Sequence, residues 1–326
     1  MNSHSTQRHA RRRTLAWLAA GLAGAVAGPL PLAATAQSAT VLRIGYQKYG
    51  TLPLLKGRAT LEQRLAPRGI SVDWREFPSG PVLLEGLNVG SIDFGTVGEA
   101  PPIFAQAAGA SLVYVGNEPP SPASEAIVVP KGSPLRTLAD LRGKKVALNK
   151  GSNVHYLLLK ALEKAAIAWP DITPVYLAPA DARAAFERGA VDAWAIWDPY
   201  LAAAERQLGA RVLADGKGLV ANHQFYLAAR PYAERAPDVL RVVFEELAKV
   251  DAWGRGHPAD VAALLAQQTG LPRDVIDLAV LRFTYGVQPI RDDVVRAQQQ
   301  VADAFAGLKL IPAPIHVKDA LLPFAL

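Results

Sequence analysis

The chain contains no cysteine, and its only methionine is Met1. The first absence excludes disulfides, thiolate metal sites, a cysteine nucleophile and a lipidated cysteine anchor. Common catalytic motifs are missing too. There is no G-x-S-x-G elbow, no H-E-x-x-H helix and no P-loop, and Gly45 starts no G-x-G-x-x-G fingerprint. No His/Glu cluster has metal-ligand spacing, so neither a metal nor a cofactor is expected. The apolar run Leu15 to Ala27 falls short of the roughly 18 residues that a membrane-spanning helix needs. What is present is a globular composition: 326 residues, 50% hydrophobic and 20% charged, with 26 Gly and 25 Pro. That excludes a disordered chain and a coiled coil.

The first 36 residues read as a signal peptide. Arg8, Arg11, Arg12 and Arg13 form a basic start, an Ala/Leu/Gly-rich run follows, and Ala34-Thr35-Ala36 supplies a small-x-small cleavage pattern, with cleavage expected after Ala36. Arg11 to Leu15 fits a loose twin-arginine pattern as well as an ordinary secretory one. The leader has four arginines and no acid. Against 35 basic and 29 acidic residues overall, its loss leaves a net charge of only +2. Nothing in that balance points to nucleic acid or an anionic membrane. An exported, periplasmic protein is expected.

Beyond the leader, the pattern is α/β. Val41 to Gly45 reads as a strand, Leu52 to Leu65 as a helix, Ser71 to Phe77 as a strand and Val82 to Asn88 as a helix. This order predicts right-handed crossovers and mostly parallel sheets. The plan then recurs. Gly90-Ser-Ile-Asp93 and Gly189-Ala-Val-Asp192 stand 99 residues apart, each followed by a short strand, a Pro-containing loop and a helix. Two copies of one unit predict two similar lobes. Ser124 to Val129 and His223 to Ala229 are extended, apolar and flanked by turn residues, so both read as crossings between lobes. Residues 37–124 plus 223–326 then form lobe one, and 125–222 lobe two. The tail after Pro231 reads as helices over 236–253, 259–268, 273–282 and 292–308.

In open parallel sheets, ligands bind beyond the carboxyl ends of the strands. The loops that qualify carry Gln47, Gly80, Thr96 and Gly98 from one lobe, and Ser152, Asn153, His155, Trp197 and Asp198 from the other. Gly80 and Gly98 allow close backbone approach. Free amides at a helix start favour an anion by geometry and dipole. Ser152 or Asn153 could equally serve as a plain N-cap, and Asp198 could cap the helix after Pro199. His155, in a first helical turn, could be a structural residue or a donor to an oxyanion. Alternation puts Trp194 and Trp197 on opposite faces of their strand. Trp197 is the pocket candidate and Trp194 the core one.

Taken together, several stretches resemble the periplasmic aliphatic sulfonate-binding proteins of ABC importers. They are Arg43 to Lys48, Phe77 to Pro81, Leu87 to Asp93, Pro101 to Gly109, Tyr114 to Pro120, Pro179 to Phe186, Val191 to Tyr200 and Phe225 to Glu234. The resemblance implies a two-lobed, type II-like periplasmic binding protein. Each lobe is a mostly parallel sheet flanked by helices, with two crossover strands between them. It implies no catalysis, and a sulfonate held in the interlobe cleft by the nine residues above. A membrane permease with its ATPase would be the partner, and the receptor a monomer. Taurine, an aromatic sulfonate, a sulfate ester or another small oxyanion are the alternative ligands, and an exported enzyme is the more distant reading. One departure stands out: Thr96-Val97-Gly98-Glu99 replaces the Ser-Thr-Gly-Asp common in relatives. Val97 lacks a hydroxyl and Glu99 carries its acid on a longer arm, which bears on ligand preference. Without its leader and Met1 the protein would hold no sulfur atom, the composition expected of a protein made in quantity when sulfur is scarce.

Overall fold

In the computed structural model, residues 40–322 are described. The expected signal peptide and its expected cleavage site lie outside them. The chain begins with β1 (Thr40–Tyr46), α1 (Thr51–Arg58), α2 (Thr60–Leu65), β2 (Ile70–Glu76), α3 (Gly80–Asn88), β3 (Phe94–Gly98), α4 (Ala100–Ala107) and β4 (Leu112–Asn117). It continues with β5 (Glu125–Val129), β6 (Lys145–Leu148), α5 (Asn153–Lys164), β7 (Thr173–Tyr176), α6 (Pro179–Glu187), β8 (Ala193–Trp197), α7 (Tyr200–Leu208) and β9 (Arg211–Asp215). The last part is β10 (Gln224–Ala229), α8 (Arg230–Arg235), α9 (Pro237–Gly256), α10 (Pro258–Thr269), α11 (Arg273–Val280) and α12 (Asp292–Gly307).

Two five-stranded sheets result, in the orders β2-β1-β3-β10-β4 and β7-β6-β8-β5-β9. Strands linked by helices pair in parallel, β1 with β2 and β3, and β6 with β7 and β8. The fourth strand of each sheet, β10 or β5, is antiparallel to its neighbours and is the strand by which the chain crosses into that sheet. The chain leaves the first sheet after β4, enters the second through β5 and returns through β10. These are the two expected crossings, and they tie the halves together twice.

The 99-residue echo is physical. The Asp93 backbone N–H donates to the Arg43 carbonyl, and the Asp192 N–H to the Lys145 carbonyl, both at 2.8 Å. The Asp93 carboxylate accepts the Arg43 N–H at 2.9 Å, and that of Asp192 the Lys145 N–H at 2.8 Å. In each copy an aspartate thus clamps the neighbouring parallel strand where the central strand begins. The loop to the next helix is repeated as well, with Phe77 N–H on the Tyr46 carbonyl and Leu177 N–H on that of Leu148.

One departure concerns the first helix. The expected helix over 52–65 breaks at Ala59, which takes a left-handed conformation and caps α1 with its own N–H. Tertiary contact decides this. A Cβ on Gly57 would meet Leu264 of α10 at 2.8 Å, so α1 ends pressed against α10. α2 turns away to bury Leu61 and Leu65. α9, α10 and α11 cover the first sheet, where Leu42, Ile44, Phe94 and Tyr226 are fully buried or nearly so. Each such side chain contributes about 1.5–3 kcal/mol. A second apolar cluster runs without a break from α3 and α4 through α5 to α12, so apolar packing as well as the crossovers joins the halves.

Candidate functional site

A cleft enclosing about 550 Å³, counting the part that opens to solvent, lies between the two sheets. Its walls bring together Gln47, Gly80, Gly98, Ser152, Asn153, Trp197 and Asp198 from the expected set. They also contain Tyr49, Gly50, Pro101, Ser124, Asn222, Gln224 and Phe283.

Sheet topology explains the convergence. Gln47 follows β1, Gly98 closes β3, and Trp197 and Asp198 close β8, so each stands at a carboxyl strand end. Gly80 opens α3, Pro101 sits in the first turn of α4, and Ser152-Asn153 starts α5. The N-cap residue makes no side-chain cap bond at any of these three helices. Ser152 occupies the N-cap position, but its hydroxyl donates to the Asn149 carbonyl at 2.7 Å. The His155 N–H is taken by the Ser152 carbonyl, which leaves the Asn153 and Val154 amides to face an anion at the positive end of the helix.

A polar chain links the two sheets across the crossovers. The Asn153 carboxamide donates to Asn222 Oδ1 and accepts the Ala100 N–H at 3.4 Å. Asn222 donates to the Ser121 carbonyl at 2.9 Å and to Ser124 Oγ at 3.0 Å. Asn222 has φ 53°, a left-handed conformation that asparagine tolerates better than most residues. Gly98 faces Asn153 so closely that any Cβ there would overlap its carboxamide.

Thr96 and His155 do not line the cleft. The Thr96 hydroxyl donates to the Phe225 carbonyl at 3.2 Å, and its own carbonyl accepts Gln47 Nε2 at 3.3 Å. Thr96 therefore orients Gln47 from behind. His155 is fully buried among Phe104, Trp169, Tyr176 and Phe305. Its Nδ1 accepts the Gly151 N–H at 3.2 Å and so helps shape the turn before α5. Helical geometry turned the side chain inward, away from the open end of α5.

Burial pushes the His155 pKa down to about 4, with Lys150 adding to the effect. An unfolded chain takes up this proton near pH 6.5, whereas the folded chain refuses it until about 4. The histidine's contribution is therefore intact above 6.5 and declines as the pH falls to about 4. The slope approaches 1.4 kcal/mol per pH unit, for a total of about 3 kcal/mol. His155→Asn is expected to be less stable than wild type at neutral pH and to lack this decline. Urea unfolding of both proteins from pH 4 to 7 measures the difference. Parallel profiles would assign the acid sensitivity to other groups.

Val97 and Glu99 also lie off the cleft walls. Val97 is fully buried and packs towards Gly80. Glu99 accepts the His223 N–H at 3.1 Å, and burial raises its pKa to about 7. Glu125, which opens β5, is fully buried with neither carboxylate oxygen hydrogen-bonded. Burial and the nearby Glu99 hold its pKa well above the usual range. Trp194 belongs to the core, in contact with Phe186.

Of the additional wall residues, Ser124, Asn222 and Gln224 had a legible signal: they flank the predicted crossings, which must pass the base of a cleft between lobes. Phe283 had none, since it follows α11 more than 230 residues after Gln47. It meets Tyr49 edge to face at 5.2 Å, and the Tyr49 hydroxyl donates to the Ala279 carbonyl.

Among the described residues of the cleft walls, Asp198 is the only ionisable side chain apart from the phenol of Tyr49. The remaining donors are neutral, and Tyr49, Trp197 and Phe283 supply apolar surface. Two α/β sheets joined by two crossings around such a cleft define a two-lobed solute-binding protein. Residues 43–272 match the family model OpuAC, the substrate binding domain of an ABC-type glycine betaine transport system. The chain is 48% identical over 302 residues to an aliphatic sulfonates-binding protein of Escherichia coli K12, covering 92% of this chain and 94% of that one. The structure superimposes on the alkanesulfonate-binding protein SsuA of Xanthomonas axonopodis pv. citri bound to MOPS, with TM-score 0.83 and 47% identity over 87% of this chain and 98% of that one. For the periplasmic aliphatic sulphonate binding protein SsuA of Escherichia coli, the TM-score is 0.79 and the identity 49%, over 88% and 93% of the two chains. The chain belongs to this family of ABC-type substrate-binding proteins, alongside the aliphatic sulfonate binders.

Proposed function

We propose that this chain is the exported receptor of an ABC importer and captures aliphatic sulfonates for sulfur acquisition. The observation that carries this reading is a cleft of uncapped helix starts and neutral donors beside aromatic walls. A sulfonate carries one charge spread over three oxygens. Several amides and hydroxyls can share it without a buried cation, and the organic tail can lie against Trp197, Tyr49 and Phe283. The lobes in this reading are 37–124 with 223–326, and 125–222, in keeping with the residues that build each sheet. They close over the ligand and present a surface to a membrane permease with its ATPase. The periplasm is the compartment, reached through the leader, and the receptor acts as a monomer without turnover.

Calorimetry with short and long alkanesulfonates, taurine, nitrate and sulfate tests the proposal. Micromolar or tighter binding is expected for at least one alkanesulfonate, with weaker binding of nitrate and sulfate. Binding of none of the sulfonates removes the reading, and a preference for taurine or an aromatic sulfonate moves it to that ligand.

A further inference from the structure

A cleft meant for an anion contains an acid. Asp198 is fully buried and belongs to the cleft wall. An unpaired carboxylate there would repel a sulfonate in a setting of low dielectric. The partner that cancels it comes from outside the cleft. Arg282 follows α11 and approaches Asp198 Oδ1 at 3.4 Å and Oδ2 at 3.5 Å. Its other arm meets Glu205 of α7 at 2.5 Å. The guanidinium is 16% exposed. A seam of small residues brings these elements together: Ala202 and Ala203 of α7 pack against Val275 and Ala279 of α11. The Asp198 carboxylate also accepts the Ala202 N–H at 3.0 Å, and the nearby phenol is that of Tyr49.

We infer that Arg282 is a specificity-determining residue that acts through Asp198. By holding the Asp198 charge balanced, it makes the cleft tolerant of an anionic head group without touching the ligand. The inference rests on the sulfonate reading for its ligand arm only. Glu205 anchors the guanidinium from the opposite side, so that Arg282 serves Asp198 in one fixed position.

Without Arg282, Asp198 must take up a proton before an anion can enter. The Arg282→Gln variant is therefore expected to bind an alkanesulfonate close to wild type at pH 5.5 and at least about 30-fold more weakly at pH 8.5. Arg282→Lys keeps the charge and is expected to lose less. Asp198→Asn combined with Arg282→Gln removes both charges, and its affinity is expected to return to within a few fold of wild type with no pH dependence. The titratable groups facing Asp198 are Glu205, Tyr49 and Arg282 itself, and of these only the last is changed. A single variant that binds like wild type at pH 8.5, or a double variant that stays weak, overturns the inference.

A second arm needs no ligand. The thermal midpoint of Arg282→Gln should fall relative to wild type as the pH rises from 6 to 9, and that of the double variant should not. Equal midpoints across that range for wild type and the single variant likewise overturn the inference. Failure of every sulfonate to bind wild type would instead strike the functional proposal and leave this arm to stand by itself.

Discussion

Gly98→Ala is expected to weaken binding of an alkanesulfonate by about two orders of magnitude while the protein stays folded. The backbone at Gly98 lies in an ordinary extended strand, so the effect is steric. The added Cβ would overlap the Asn153 carboxamide. Asn153 cannot simply turn aside, because it is bonded to Asn222 at one crossover and to the Ala100 N–H at the start of α4. Either the two sheets separate or the start of α5 shifts. Both outcomes displace the first-turn amides that would meet the anion, and an error of about 1 Å in such a site is costly. The cost to the fold itself is about 1–3 kcal/mol, the usual range for one excess methyl group. Gly98→Ala with Asn153→Gly restores the space and should recover part of the affinity. Calorimetry on wild type, single and double variants reads all three, and an unchanged affinity in Gly98→Ala would show that the contact is not made around the ligand.

Asp93→Ala is expected to destabilise the protein by about 3 kcal/mol, against about 1 kcal/mol for Asp192→Ala. The two aspartates hold equivalent places, and each carboxylate accepts the N–H of the adjoining strand. They differ in what else they hold. Asp93 is buried and also receives the Arg43 guanidinium, from Nε at 2.9 Å and from Nη2 at 2.6 Å. Removing it strands three donors, although the half-exposed guanidinium can turn partly to water. Asp192 is exposed and accepts one backbone bond, which water can replace. Urea unfolding of both variants provides the comparison. Equal losses would mean that the charge pair adds nothing to the backbone clamp.

This repeat shows how much was legible beforehand. Gly90 to Asp93 and Gly189 to Asp192 were visible as sequence, and each aspartate does the same local work in its sheet. The crossover segments were legible for a related reason: an extended apolar stretch bounded by turns is dictated by nearby residues. Seven of the nine expected site residues line the cleft, because strand ends and helix starts follow from chain order. Thr96 and His155 do not, because which way a side chain points depends on the elements packed against it. The break at Ala59 belongs with them, since it answers to α10, some 200 residues later in the chain.

The sequence alone determined the α/β class, the duplicated plan, the two crossings and the loops that meet in the cleft. These depend on periodicity, turn chemistry and order along the chain, all of which act over a few residues or constrain topology directly. Tertiary structure alone decided that Tyr49 and Phe283 join the wall, that Asn153 ties the two halves through Asn222, and that Arg282 reaches the carboxylate of Asp198. Each of these is a meeting of residues distant in sequence. Their energies arise from packing and desolvation at the point of contact, and no local pattern encodes them.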